Sequence, residues 1–407
     1  MKIGILTYHS ACNFGANLQA LSTVEFIKSQ GHTPIIIDWY PKSLENSYKS
    51  KTPLKQMNCH DAFRNKYFTM TMRCFSSKDV AKAIDDNDIQ GVIVGSDAVV
   101  QHYPFLSRLV FPTRSIISLT SPNEDRMFPN PFWGSFFPFL KERIPMVMMS
   151  VSNQSAPYKT MVKKERENIY ESLKRFSYIS VRDNWTQNMV KYVSHNEIIP
   201  PITPDPVFAF NHNVKSIPTK EEICKRFSLS DKYALISFHN LNTVSSQWIK
   251  ELSDSFNRRG IESVALPYPQ GIETEHPVNK LINVPLDPLD WYALLKYADA
   301  YVGHNMHPIV VCLSNSVPCF SFDHYGNVKF RVFVNEKSSK IYHIMKRFGI
   351  PQNRVNCAGK WHKVPEVEYV MSLLETFDKN AISKVAEDYV RDYLKMMSAI
   401  MQTLTSK

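Results

Sequence analysis

Apolar runs and amphipathic stretches alternate along this chain in the rhythm of a wound α/β protein. Residues 2–8 form a short apolar run that ends in the turn Ser10-Ala11-Cys12-Asn13-Phe14-Gly15. Leu18, Leu21, Val24 and Ile27 then recur at helical spacing, Gly31 closes that helix, and Ile35-Ile36-Ile37 begin a second strand ending at Asp38. Runs so uniformly apolar suit parallel strands covered by helices on both faces. Residues 42–90 read as polar and helical. Gly91-Val92-Ile93-Val94-Gly95 predicts the next strand, with Ser96-Asp97 at its carboxyl end. Residues 101–143, rich in Phe and Pro without period, predict a loop region on the substrate side. Strands follow at 145–151 and 178–182, the second ending in Arg182-Asp183.

The segment Pro200-Pro201-Ile202-Thr203-Pro204-Asp205-Pro206 breaks the pattern and marks a boundary. Beyond it the alternation restarts, with strands at 233–238, 262–266 and 281–284, a helix over 288–297, and the strand Ala300-Tyr301-Val302-Gly303. A short helix follows His307, then a strand from Val317 to Phe322. The final stretch, 380–403, carries Ile382, Val385, Val390, Tyr393, Leu394 and Met397 at helical spacing. A chain of 407 residues exceeds one ordinary core. The expected division is therefore 1–205, an N-terminal Rossmann-like domain on the acceptor side with Phe/Pro-rich loops, and 206–375, a C-terminal Rossmann-like domain on the donor side. Residues 376–407 are expected to form a helix packing back across both.

Charge and cysteine content narrow the function classes. The net charge of +10 favours anionic partners, yet the basic residues are dispersed and no nucleic-acid-binding motif accompanies them, so nucleic acid is not expected. Seven scattered cysteines without a CxxC pair argue against a disulfide framework or a zinc site. Cys12, in the first loop, is either a nucleophile or a small buried residue. No apolar stretch is long enough for a membrane helix, and the N-terminus reads as a strand and not as a signal. A cytoplasmic location is expected, with contact at the inner membrane face if the substrate is carried on lipid.

In wound sheets ligands bind beyond the carboxyl ends of strands, so those positions hold the candidate chemistry. The loop Asn13-Phe14-Gly15-Ala16-Asn17-Leu18-Gln19 leads into a helix N-terminus that suits an anion, or else is a tight turn needing Gly15. It has one glycine where a dinucleotide fingerprint needs three, which argues against NAD despite Asp38. Asp97, after Gly95 and Ser96, is placed as a general base toward a hydroxyl or as a cap of a following helix. Arg182 is placed to hold a carboxylate or phosphate, or to pair with a carboxylate of the protein. His304-Asn305-Met306-His307 opens a helix after a strand, where imidazole can bind a phosphoryl oxygen or move a proton, or simply make local bonds. No carboxylate or cysteine accompanies these histidines, so no metal is expected.

Taken in order, Asn13-x-Gly15-x-x-Leu18-Gln19, Gly95-Ser96-Asp97, Ser180-Val181-Arg182-Asp183 and Ala298-Asp299-Ala300 leading to His307 resemble the polysaccharide pyruvyl transferase family over roughly residues 1–330. The resemblance implies two Rossmann-like α/β domains in a GT-B-like arrangement. It also implies phosphoenolpyruvate as donor substrate between them, no cofactor, and a sugar acceptor that can be lipid-diphosphate-linked. Carried over by position, Asp97 and His307 become the catalytic residues, the first near the acceptor and the second at the donor phosphate or as acid. Arg182 would grip the donor, and Asn13, Gly15, Gln19, Ser96, His304 and Asn305 would line the substrates. Asn305 stands where some members have arginine and others serine, and Ala98-Val99-Val100 stands where many have Gln-Val-Trp. Two other readings share the architecture: a nucleotide-sugar glycosyltransferase, and a catalytically degenerate binding or assembly component of a polysaccharide locus.

Overall fold

The apolar runs assemble, in a computed structural model, into one five-stranded and one six-stranded parallel sheet. The structure describes residues 1–41, 43, 50–110, 118–239, 243–272, 276–329, 333–359 and 362–406. Parts of the expected helical region 42–90 and loop region 101–143 thus lie outside the described residues.

The first sheet takes its strands from the N-terminal half: β1 (Lys2–Leu6), β2 (Thr33–Ile36), β3 (Gly91–Asp97), β4 (Met146–Val151) and β5 (Tyr178–Val181), in the spatial order β2-β1-β3-β4-β5. Helix α1 (Phe14–Ser29) crosses between β1 and β2, α2 (Leu54–Tyr67) and α3 (Ser77–Asp86) fill the expected helical region, and α4 (Lys163–Leu173) and α5 (Asn184–Val193) flank β5. Local chemistry fixes their starts. The Asn13 side chain accepts a hydrogen bond from the Ala16 amide, and Ser76 with Asp79 closes a capping box on α3.

The second sheet is built from β6 (Tyr233–Ser237), β7 (Glu262–Ala265), β8 (Lys280–Leu281), β9 (Ala300–Gly303), β10 (Cys319–Asp323) and β11 (Arg354–Asn356), ordered β8-β7-β6-β9-β10-β11. Its helices include α6 (Ser246–Asn257), α7 (Pro288–Lys296), α8 (Met306–Ser314), α9 (Lys340–Arg347) and α10 (Val367–Glu375), and the last helix is α11 (Lys379–Thr405). The expected strand at 281–284 is displaced and reduced to the pair Lys280–Leu281 at the sheet edge, and β11 and α9 were not expected. The strands β8 and β11 are too short to set up a period of their own, and α9 shows its apolar face only over two turns, at Ile341, Ile344 and Met345.

The core explains how the two sheets are joined. Ile5 and Ile93 of the first sheet and Tyr233 and Tyr301 of the second belong to one continuous buried apolar cluster with Tyr393, Met397, Ile400 and Leu404 of α11. Helix α11 packs on β4 and on α8, so it ties one half of the chain to the other. Separate apolar clusters cover the outer faces, around Val92 and Met148 in the first half and around Ile236 and Phe322 in the second. Across the halves Gln56 donates to the Leu286 carbonyl at 2.9 Å and accepts from the Leu286 amide at 2.7 Å, and the Phe14 and Trp291 rings stack at 5.3 Å.

Strand order locates the ligand position. The order in which strands are added reverses between β1 and β3 in the first sheet and between β6 and β9 in the second, and the crevice of such a sheet lies outside those points. The residues at or just beyond those strand ends are Tyr8 and Asp97 on one side, Ser237 and Asn305 on the other, and all of them line a single cavity.

A candidate active site between the two switch points

The cavity holds about 210 Å3 and is lined from the first half by Asn13, Gly15, Asp97 and Arg126, and from the second by Asn305, His307 and Lys340. Two helix N-termini reach it, those of α1 and α8, which favours negative charge there. Backbone strain gathers at the same place. Asp97 has φ +95° and Asn305 φ +72°, conformations that side chains with a Cβ avoid and that persist where surrounding structure enforces them.

Beneath the cavity runs a buried chain of charges. Asp97 accepts from Arg182 at 3.2 Å and Arg182 donates to Asp205 at 2.6 Å. Asp205 also accepts from Gln19 at 2.5 Å and lies 3.9 Å from His307 Nε2. Burial alone would raise the Asp97 carboxyl, but the charge of Arg182, then those of Lys340 and His307, outweighs it and holds the pKa at about 2. Burial lowers His307, against the pull of Asp205 and Asp97, so its imidazole favours the neutral form. Lys340 is buried, and burial followed by the Arg182 charge brings its ammonium down to about 8, although Asp97 and Asp205 oppose the change. The site thus sets a firm carboxylate beside a neutral imidazole and an acidified ammonium.

The nine residues singled out from sequence occupy three kinds of position. Asn13, Gly15, Asp97, Asn305 and His307 line the cavity. Asn13 caps α1, and the His307 ring lies directly over Gly15, where a Cβ would sit 2.1 Å from the ring carbon Cγ. Gln19 and Arg182 lie one layer below, joined through Asp205, and both terminal nitrogens of Arg182 are held by carboxylates of the protein. Ser96 and His304 point elsewhere. The Ser96 hydroxyl donates to the Ser150 carbonyl at 2.9 Å, and the His304 ring meets His324 at 3.1 Å and the edge of Phe238. Burial first, then the neighbouring histidines, brings His304 down to about 3, which suits a packed neutral ring. No helix follows Asp97, whose Oδ1 bonds the Ala98 amide at 2.8 Å.

Other residues of the first loops settle into supporting roles. Cys12 is buried and its thiol is raised by burial, against the nearby Arg64 charge, which makes it a poor nucleophile. Asp38 is occupied by His9 at 2.9 Å and Arg73 at 3.1 Å. Among the described residues no group of three or more metal-ligating side chains comes together.

Two residues of the site escaped the sequence reading. Asp205 lies in the Pro-rich boundary and resembles a linker residue, yet it is buried where Gln19, Arg182 and His307 converge. Lys340 follows no strand. Its only local signal is a cation at the first position of α9, where the helix dipole disfavours it.

A sequence model of the family described as polysaccharide pyruvyl transferase matches residues 13–326 of the chain. No curated protein matches it. Among solved structures, the UDP-GlcNAc 2-epimerase from Neisseria meningitidis bound to UDP-GlcNAc superposes with a TM-score of 0.51 at 10% identity, covering 99% of this chain and 100% of that one. The protein LpCGTa in complex with UDP gives a TM-score of 0.53 at 10% identity, covering 100% and 99%. At such identities these likenesses speak for the fold, two Rossmann-like halves in a GT-B-like arrangement.

Proposed function

The chain belongs to the polysaccharide pyruvyl transferase family, and from that premise we propose that it transfers pyruvate from phosphoenolpyruvate to a pair of sugar hydroxyls, forming a ketal in a bacterial surface polysaccharide or its lipid-linked precursor. The observation that carries the reading is the small cavity between the switch points, with His307 and Lys340 facing Asp97. Its 210 Å3 is below the roughly 300–1,000 Å3 usual for drug-sized ligands, which suits a three-carbon phosphorylated acid better than a nucleotide-sugar.

In this reading Lys340 protonates the methylene carbon of phosphoenolpyruvate, which leaves the central carbon electrophilic. One sugar hydroxyl forms a C–O bond to that carbon, the bond to phosphate breaks, and the second hydroxyl closes the ring. Two hydroxyl protons are released: one restores Lys340 and the other leaves with phosphate. His307, as a neutral donor, and the helix N-termini would hold the departing phosphate. Asp97, with its pKa at about 2, is a weak base and works best as an acceptor that orients a hydroxyl while its proton passes on. Arg182, bound on two sides, fixes Asp97 in place. The donor carboxylate would then fall to Arg126, which lines the cavity.

No helix among the described residues is long and apolar enough to cross a membrane. The exposed Phe105 and Leu106, beside Arg108, would suit contact with an anionic surface that carries a lipid-linked acceptor. Incubation with phosphoenolpyruvate and a panel of pyranosides should release phosphate and add the mass of one pyruvate ketal to an acceptor. Stabilisation by UDP-sugars and not by phosphoenolpyruvate would overturn the donor assignment.

A further inference from the structure

A second, larger cavity of about 830 Å3 lies between the halves on the other side of the buried charge chain. It takes its walls from α5 and the residues preceding it in the first half, and from α9 and residues 335–337 in the second. Lys159, Lys337 and Lys346 line it, and no carboxylate among the described residues pairs with any of the three. Its two carboxylates are already engaged: Asp183 accepts from Ser152 and from Thr186, and Asp205 from Arg182 and Gln19. The cavity therefore carries an excess of positive charge.

A buried group reaches the same space. Arg182 is 7% exposed and lines this cavity, and while its terminal nitrogens hold Asp97 and Asp205, its Nε–H has no hydrogen-bond partner. A buried guanidinium N–H left unpaired is costly unless a ligand or water meets it. The half-buried Trp185 and Tyr342 add ring surface to opposite walls, one from each half. Cations with aromatic faces in a cavity of this size suit a ring-shaped ligand bearing a phosphate.

We infer that this cavity is a second ligand site, separate from the one between the switch points, and that it takes a phosphorylated saccharide. Its occupant would lie against the Arg182 side chain and so be felt at Asp97 through the same guanidinium. The inference does not depend on the identity of the donor in the first cavity.

Calorimetric titration of the full chain with glucose 1-phosphate tests it, with inorganic phosphate, uridine monophosphate and methyl glucoside as controls. Glucose 1-phosphate should bind more tightly than all three. The double variant Lys337→Glu, Lys346→Glu, at two exposed positions, should weaken that binding by about tenfold or more, while phosphoenolpyruvate affinity and the circular dichroism spectrum stay unchanged. Saturation-transfer NMR on the unaltered protein should show contact to the pyranose ring protons. Absence of binding at millimolar glucose 1-phosphate, undiminished binding by the double variant, or equal affinity for phosphate or uridine monophosphate would overturn the inference. Loss of phosphoenolpyruvate binding alone would count against the proposed function and leave this site standing.

Discussion

At the scale of single residues the site is a set of mutually dependent charges. Lys340 has its pKa depressed from 10.5 to about 8 by burial, so two consequences follow with opposite signs. A reaction that needs the ammonium as proton donor loses rate as pH rises through about 8 in a pH–rate profile, and Lys340→Arg, which keeps the charge but cannot release a proton, should lose turnover with it. For stability, a cation with a lowered folded-state pKa contributes above its unfolded value and loses that contribution as pH falls through about 8. Lys340→Met should therefore stabilise the fold at pH 7, by on the order of 3 kcal/mol in denaturant titrations, while removing turnover. Gly15 makes a complementary case. A methyl group there would fall within 2.1–2.6 Å of the His307 ring, so Gly15→Ala must displace the imidazole. Its kcat should fall by about 100-fold or more with unaltered secondary structure by circular dichroism.

At the scale of elements, what could be read in advance followed from burial. Strands β1, β3, β4, β6 and β9 are apolar along their length because helices cover both faces, and the sequence displays that directly. Strand β11, half-buried at the sheet edge, and the two-residue β8 carry no such signal. Helix α11 was legible as amphipathic, but its partners were not. Tyr393 receives a hydrogen bond from Asn213 at 3.2 Å, and a Cβ on Gly91 of β3 would sit 3.0 Å from Leu404. Leu404 is 3% exposed, so Leu404→Ala should destabilise the whole chain by about 2–5 kcal/mol, measured as a lower urea midpoint with an unchanged slope.

At the scale of the whole molecule, the continuous core and α11 make the two sheets one body, and buried polar contacts also cross between the halves. Gln56 is buried and bridges to both backbone groups of Leu286. Gln56→Ala leaves those groups unpaired and should cost about 1–3 kcal/mol in stability. Because it loosens one half against the other, it should also raise the KM for phosphoenolpyruvate more than it lowers kcat, read from initial-rate kinetics.

The sequence by itself determined the wound α/β pattern, the strand ends where chemistry gathers, and the family. These depend on local periodicity and on residues that sit side by side in the chain. It also picked out Asp97, His307 and the Gly15 loop, because each follows directly on a strand or opens a helix. Only the tertiary structure decided which of the candidates meet. It turned the His304 ring toward His324, bound Arg182 to Asp97 and Asp205, and brought Lys340, 243 positions after Asp97 in the chain, into the same electrostatic field. Charge acts through space and not along the chain, so a buried lysine at a helix start and an aspartate between two prolines acquire their meaning only when two sheets close around them.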